Sequence, residues 1–131
     1  MTFGEKIKQQ RKLLGLSQDD LSAILHVSRR TITSWETDTS RPRTRSAYES
    51  LADALDVRTS YLINEEEAFV LDAGEEFGAR GRREASKLVS ELTGLFAGGE
   101  MAEEDMDALM LAIQEAYVDA KRSNKKYGRN S

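Results

Sequence analysis

Five arginines lie close together in the first half of the chain: Arg29, Arg30, Arg41, Arg43 and Arg45. A guanidinium donates parallel hydrogen bonds, which suits both the O6 and N7 atoms of guanine and the oxygens of a phosphate. The other chemistry-bearing residues are sparse, since the chain has no cysteine and a single histidine, and it lacks a glycine-rich phosphate loop or metal-ligand spacing. The sequence therefore predicts nucleic-acid binding, with no enzyme activity, cofactor or metal.

A short helix must precede the first two arginines. Ser17 can cap a helix that begins at Gln18, because its hydroxyl can accept a hydrogen bond from an amide of the first turn. Leu21, Ile24 and Leu25 follow at spacings of three to four residues and predict one apolar face. This helix can then pack against the one that carries the arginines.

The second helix begins after Ser28, another predicted N-cap, and its two sides differ in chemistry. Helical periodicity places Ile32, Trp35 and Glu36 on one side. The other side carries the polar group Arg29, Arg30, Thr33 and Ser34. One side can be buried while the other is presented to the major groove of DNA.

Four short motifs follow one another in this region: LSQDDL at 16–21, VS at 27–28, ITSWE at 32–36 and RP at 41–42. In order and spacing they resemble the helix-turn-helix of the Cro/phage-repressor-like (xenobiotic-response-element, XRE) transcription regulators. The resemblance extends over residues 1–64. It implies an all-α fold that begins with a five-helix, lambda-repressor-like DNA-binding domain.

The resemblance also implies which residues bind double-stranded DNA. Gln18 is expected to bind a backbone phosphate and to steady the second helix, whereas Arg41 and Arg43 are expected to bind phosphates only. The residues of the second helix that are expected to face base edges are Arg29, Arg30, Thr33 and Ser34. The full predicted set is Gln18, Ser28, Arg29, Arg30, Thr33, Ser34, Arg41 and Arg43. Arg11 and Glu36 are expected to form a structural ion pair.

Three residues depart from the family pattern, which usually has glycine at their positions: His26, Asp38 and Asp56. Each comes just after a predicted helix, where a left-handed backbone conformation is commonly needed. Histidine and aspartate are among the residues that tolerate this conformation. We therefore expect a positive φ at all three.

The net charge of −4 is distributed unevenly along the chain. Residues 1–63 carry 10 basic against 8 acidic side chains, residues 64–120 carry 4 against 15, and residues 121–131 carry 5 against none. The acidity thus lies away from the arginine-rich region and is compatible with DNA binding. With neither a membrane-length apolar run nor a secretory signal, the chain is expected to be cytoplasmic and not to bind membranes.

The second half divides into three predicted segments: a linker or broken helix over 65–81, a helical dimerisation region over 82–123 and a basic flexible tail over 124–131. Two apolar stripes in the middle segment predict a helical hairpin, which is too small to be stable without a further partner. That partner is either the first domain or a second copy of the chain. The residues predicted to form a homodimer are Leu88, Leu92, Leu95, Phe96, Leu109, Ile113 and Tyr117.

A dimer agrees with operators that present two half-sites about 34 Å apart. We therefore predict a repressor that binds a palindromic operator as a homodimer. The alternative is an antitoxin or a partner-controlled regulator, in which the acidic C-terminal helices bind another protein.

Overall fold

The computed structural model describes residues 1–99 and 101–128, and the side chains as far as residue 124. The described residues are helical, without strands, as the sequence predicts. They divide into two compact units, one spanning Met1–Ala68 and the other beginning at Phe69. Most of the predicted basic tail, from residue 125 onward, lies outside the described side chains.

The first unit contains five helices, the number that the family resemblance implies: α1 (Phe3–Leu13), α2 (Gln18–Leu25), α3 (Arg29–Glu36), α4 (Arg45–Ala54) and α5 (Thr59–Leu62). Four of them begin with a hydroxyl cap. The side chains of Thr2, Ser17, Ser28 and Thr44 each accept a hydrogen bond from the amide three residues later. Such caps satisfy orphan amides of the first turn, so local sequence defines where these helices begin.

The core of the first unit consists of aliphatic side chains that are fully covered: Ile7, Leu21, Ile32, Leu51 and Leu55. Phe3 and Tyr48 add an edge-to-face aromatic contact with ring centroids 5.6 Å apart. The prediction that Ile24 belongs to the buried face of α2 is wrong, since 51% of this residue is exposed. An eight-residue helix packs a narrow face, and Leu21 occupies its centre.

The three residues that replace glycine adopt the expected backbone conformation. His26, Asp38 and Asp56 have φ values of 57°, 59° and 56°. They are the only non-glycine residues with positive φ in the described chain. The prediction of a left-handed conformation at these positions is therefore confirmed.

The second unit is formed by most of α6 (Glu65–Ala97) together with α7 (Glu103–Gly128). Gly78 interrupts α6 with φ 77° and ψ −167°, a conformation that only glycine adopts readily. The segment predicted as linker or broken helix is thus helical on both sides of a kink. We refer to residues 65–77 and 79–97 as the first and second arms of α6.

The two arms lie against each other at small residues. A Cβ atom on Gly81 would lie 2.5 Å from Cβ of Phe77 and 2.9 Å from the carbonyl oxygen of Ala73. Phe69, Ala73 and Ala85 form a buried cluster. The partly buried side chains around it are Val70, Phe77, Leu88, Val89, Tyr117 and Val118. The first arm therefore supplies a third helical segment, and of the two predicted alternatives the structure has the broken helix rather than the linker.

This packing changes the interpretation of the predicted dimer residues. Leu88 and Tyr117 contact the cluster of their own unit, and Leu92 is 9% exposed. By contrast, Leu95 is 70% exposed and Leu109 is 37% exposed. The apolar stripes are thus partly buried within their own unit, and a homodimer through the predicted set stays a prediction. No described helix is long and apolar enough to cross a membrane.

Candidate nucleic-acid interface

Helix α3 has one buried and one exposed side, as its sequence predicts. Ile32, Trp35 and Glu36 are buried. On the other side Arg29, Arg30 and Thr33 are exposed, whereas Ser34 is half-buried. The helix therefore presents two cations from its first turn to solvent.

A buried ion pair holds α1 against α3. Arg11 donates from Nε to Oε2 of Glu36 at 2.7 Å and from Nη2 to Oε1 at 3.0 Å, and its Nη1 donates to the carbonyl oxygen of Leu16 at 2.9 Å. The hydrogen bonds that Arg11 donates to Glu36 raise the pKa of Arg11, which keeps the guanidinium charged. This geometry confirms the structural ion pair that the family resemblance implies.

Gln18 connects this ion pair to the exposed side of α3. Its Nε2 donates to Oε1 of Glu36 at 3.2 Å. Its Oε1 accepts long hydrogen bonds of 3.4 Å from Nε of Arg29 and from the hydroxyl of Thr33. Gln18 therefore links α2 to both faces of α3, consistent with a role in steadying the second helix.

The two arginines at the start of α3 have different surroundings. Arg29 lies 3.6 Å from Oδ2 of Asp19, and both side chains are well exposed. Arg30 forms no ion pair with any part of the chain that the structure describes. Arg30 is therefore the less constrained cation, and the sequence did not distinguish it from Arg29.

The hydroxyl groups predicted to bind DNA also have partners within the chain. Ser28 accepts a hydrogen bond from the amide of Thr31 at 3.1 Å. The hydroxyl groups of Ser34 and Ser40 lie 2.7 Å apart. Ser28 acts first as a helix cap, and Ser34 orders the start of the loop after α3.

Asp38 orders this loop in a way that the sequence did not predict. Its carboxylate accepts hydrogen bonds from the hydroxyl of Thr2 at 2.7 Å and from the amide of Gly4 at 2.8 Å. These bonds lower the pKa of Asp38, with the bond from Thr2 contributing most. The loop after α3 is thereby tied to the first turn of α1. The sequence feature that could have predicted these contacts is the carboxylate of Asp38 at a position where the family usually has glycine.

The three later arginines are not equivalent. Nη1 of Arg41 lies 3.2 Å from Oε2 of Glu67, and its guanidinium lies over the ring of Phe3. Arg45 lies 3.8 Å from Glu65. Arg43 is exposed and has no ion pair among the described residues. The structure thus places cations both on α3 and in the segment that leads into α4.

The helix-turn-helix region and nearly the whole chain each match known proteins. The helix-turn-helix family model matches residues 7–62. The immunity repressor protein of Bacillus phage phi105 is 30% identical over 135 residues, covering 97% of this chain and 92% of the phage protein. A solved chain of the SinR protein/SinI protein complex covers 93% of this chain and 99% of its own length, with 21% identity and a TM-score of 0.44.

The relationship to the phage protein extends over nearly the whole of both chains and therefore includes both units. The motif residues adopt the helix bounds, caps and buried ion pair described above. The chain belongs to the Cro/phage-repressor-like (XRE-type) helix-turn-helix family of DNA-binding transcription regulators.

Proposed function

We propose that the chain is a repressor that binds a palindromic operator as a homodimer. The observation that carries the proposal is the exposed side of α3, where Arg29 and Arg30 lie opposite a fully packed face. The relative that spans almost the whole chain is itself named an immunity repressor, which supports repression over activation.

In this proposal the exposed side of α3 reads base edges. Arg30 has no ion pair within the described chain, so it can bind the O6 and N7 atoms of a guanine without losing an existing partner. Arg29 must first leave Asp19 and Gln18, and its contribution is therefore smaller. Thr33 and Ser34 adjoin these arginines and provide hydroxyl groups for further base contacts.

Phosphate contacts come from the edges of the motif. Gln18 and Ser28 lie at the first turns of α2 and α3, and Arg41 and Arg43 lie in the segment before α4. Contacts of this kind fix the register of the protein on DNA and give affinity without sequence choice. They also make affinity dependent on salt, by roughly one counterion for each phosphate.

Selection of bound duplexes from a random DNA pool tests the proposal, because it yields the site, its symmetry and the half-site spacing together. A symmetric site with guanine in each half is expected. Arg30→Ala should weaken operator binding about tenfold or more and random-DNA binding much less, since a bidentate contact contributes about 1–3 kcal/mol.

Lys8→Ala is the matched control, because it removes one exposed cation from α1 and leaves α3 intact. Equal losses for operator and random DNA in Arg30→Ala would assign this arginine to phosphate. A selected site without two-fold symmetry would contradict the palindromic operator.

Dimerisation is proposed to use the apolar side chains that the second unit leaves uncovered. Leu95 and Leu109 belong to the predicted set and are 70% and 37% exposed. Burying such side chains is favourable, by roughly 25 cal/mol for each Å² removed from water. A second copy of the chain offers the same surface, as a two-fold dimer requires.

Sedimentation equilibrium of the purified chain measures this directly. A dimer that becomes a monomer in Leu95→Glu, but not in Leu13→Glu, is expected, because Leu13 is a similarly exposed leucine of the first unit. A monomeric wild-type chain would contradict the homodimer. It would favour the alternative, in which the second unit binds a different protein.

A further inference from the structure

Two of the arginines near the proposed DNA surface already hold carboxylates of the same chain. Nη1 of Arg41 lies 3.2 Å from Oε2 of Glu67, and Nη2 of Arg45 lies 3.8 Å from Oε2 of Glu65. Both glutamates belong to the first turn of α6. The acidic start of α6 therefore neutralises part of the cationic segment that precedes α4.

The Arg41–Glu67 pair is the better defined of the two. The amide of Glu67 donates to Oδ1 of Asn64 at 2.8 Å, which fixes the first turn of α6. The guanidinium of Arg41 lies 5.1 Å from the ring centroid of the buried Phe3. The backbone of Glu67 and the side chain of Arg41 are thus each restrained by another contact, so less conformational entropy is lost when the pair forms.

The pair is also accessible from solvent. The side chains of Arg41 and Glu67 are 49% and 46% exposed. An anion that approaches from solvent can therefore reach the guanidinium, but it must displace the carboxylate or share the cation with it. A DNA phosphate is such an anion, and it requires the same charge and the same N–H donors.

We propose that Glu67, assisted by Glu65, is an affinity-determining residue for DNA, because it competes with backbone phosphates for Arg41 and Arg45. This inference rests on the proposed function, in which Arg41 binds phosphate. The competition lowers affinity for any DNA sequence and leaves the base contacts of α3 unchanged. The ratio of operator affinity to random-DNA affinity is therefore expected to stay the same.

The chain provides a matched control within the same turn. Glu66 lies between the two glutamates and forms no ion pair among the described residues. Glu66→Gln and Glu67→Gln each remove one negative charge at nearly the same place. A difference between them reports the ion pair and cancels the general effect of charge on DNA approach.

Fluorescence anisotropy with the full chain, on its selected operator and on a random duplex, tests the inference. Glu67→Gln should tighten binding to both duplexes by about two- to fivefold at low salt, the range expected from breaking one exposed ion pair. Glu66→Gln should tighten it clearly less. In an Arg41→Ala background, the gain from Glu67→Gln should disappear.

Equal gains from the two glutamine variants would overturn the inference, as would a gain that persists without Arg41. These outcomes are distinct from failure of the proposed function, in which the wild-type chain would bind no duplex selectively. Circular dichroism of each variant verifies that the helical content is unchanged.

Discussion

The buried ion pair between Arg11 and Glu36 allows a quantitative test of how the first unit is held together. The side chains are 9% and 3% exposed, and two hydrogen bonds join them. Arg11→Met keeps much of the apolar stem of Arg11 but leaves the Glu36 carboxylate buried beside the amide of Gln18 alone. The substitution therefore removes the only cation that compensates this carboxylate in the described chain.

Removing one partner of a buried pair costs about 3–5 kcal/mol. A domain is stable by only about 5–15 kcal/mol, so the loss is a large fraction of the total. For a domain of this size, each kcal/mol lowers Tm by roughly 4–8 °C, which predicts a decrease of at least about 12 °C. The double substitution Arg11→Met with Glu36→Leu should recover most of the loss, because the unpaired charge is gone.

Trp35 makes the measurement specific to this unit. It is the only tryptophan in the sequence, it lies in α3, and it is 7% exposed. Urea unfolding followed by tryptophan fluorescence therefore reports the first unit. Arg30→Met is the control, since it makes the same replacement on the exposed side of α3. Equal unfolding midpoints for Arg11→Met and Arg30→Met would refute the reasoning.

Three further predictions concern the rest of the structure. Gly81→Ala should destabilise the second unit by about 1–3 kcal/mol in thermal unfolding, because its Cβ would meet Phe77; Gly94→Ala, with open space around it, should not. Asp38→Asn should make the free energy of unfolding less dependent on pH in the acid range. The pKa of Asp38 is lower in the folded protein than the value of about 3.9 in the unfolded chain, so its ionised carboxylate stabilises the fold above about pH 3.9. This stabilisation is lost as the pH falls through the lowered pKa, and the asparagine variant lacks it. Burial and the Glu84 carboxylate raise the pKa of Tyr117 to about 12, so Tyr117→Phe should remove a step near pH 12 from a spectrophotometric tyrosine titration.

Local sequence was sufficient to predict the helices of the first unit. Caps such as Ser17 and Ser28 act within four residues, and apolar periodicity acts within one or two turns. The two-sided character of α3 follows from the same periodicity. The positive φ at His26 follows from its place after a helix. These features depend on residues that are neighbours in the sequence, so they can be predicted without knowledge of the tertiary structure.

The second unit was predicted less well because a glycine can either break a helix or allow two helices to pack closely. Gly74, Gly78 and Gly81 all lie in the segment predicted as linker or broken helix, yet only Gly78 leaves the helical conformation. Gly81 instead permits close contact between the two arms of α6. The absence of a side chain permits either an unusual backbone conformation or a close helix contact. Which of the two occurs depends on the residues that the fold places next to the glycine.

The contacts that modify the proposed DNA surface join residues far apart in sequence. Asp38 accepts from Thr2 across 36 positions, and Arg41 pairs with Glu67 across 26. No periodicity or motif relates such residues, because their proximity results from how α1, α3 and the start of α6 pack. The sequence thus predicts which helix carries the proposed base contacts, whereas the folded arrangement establishes which cations of the proposed DNA surface, such as Arg41, already hold a carboxylate.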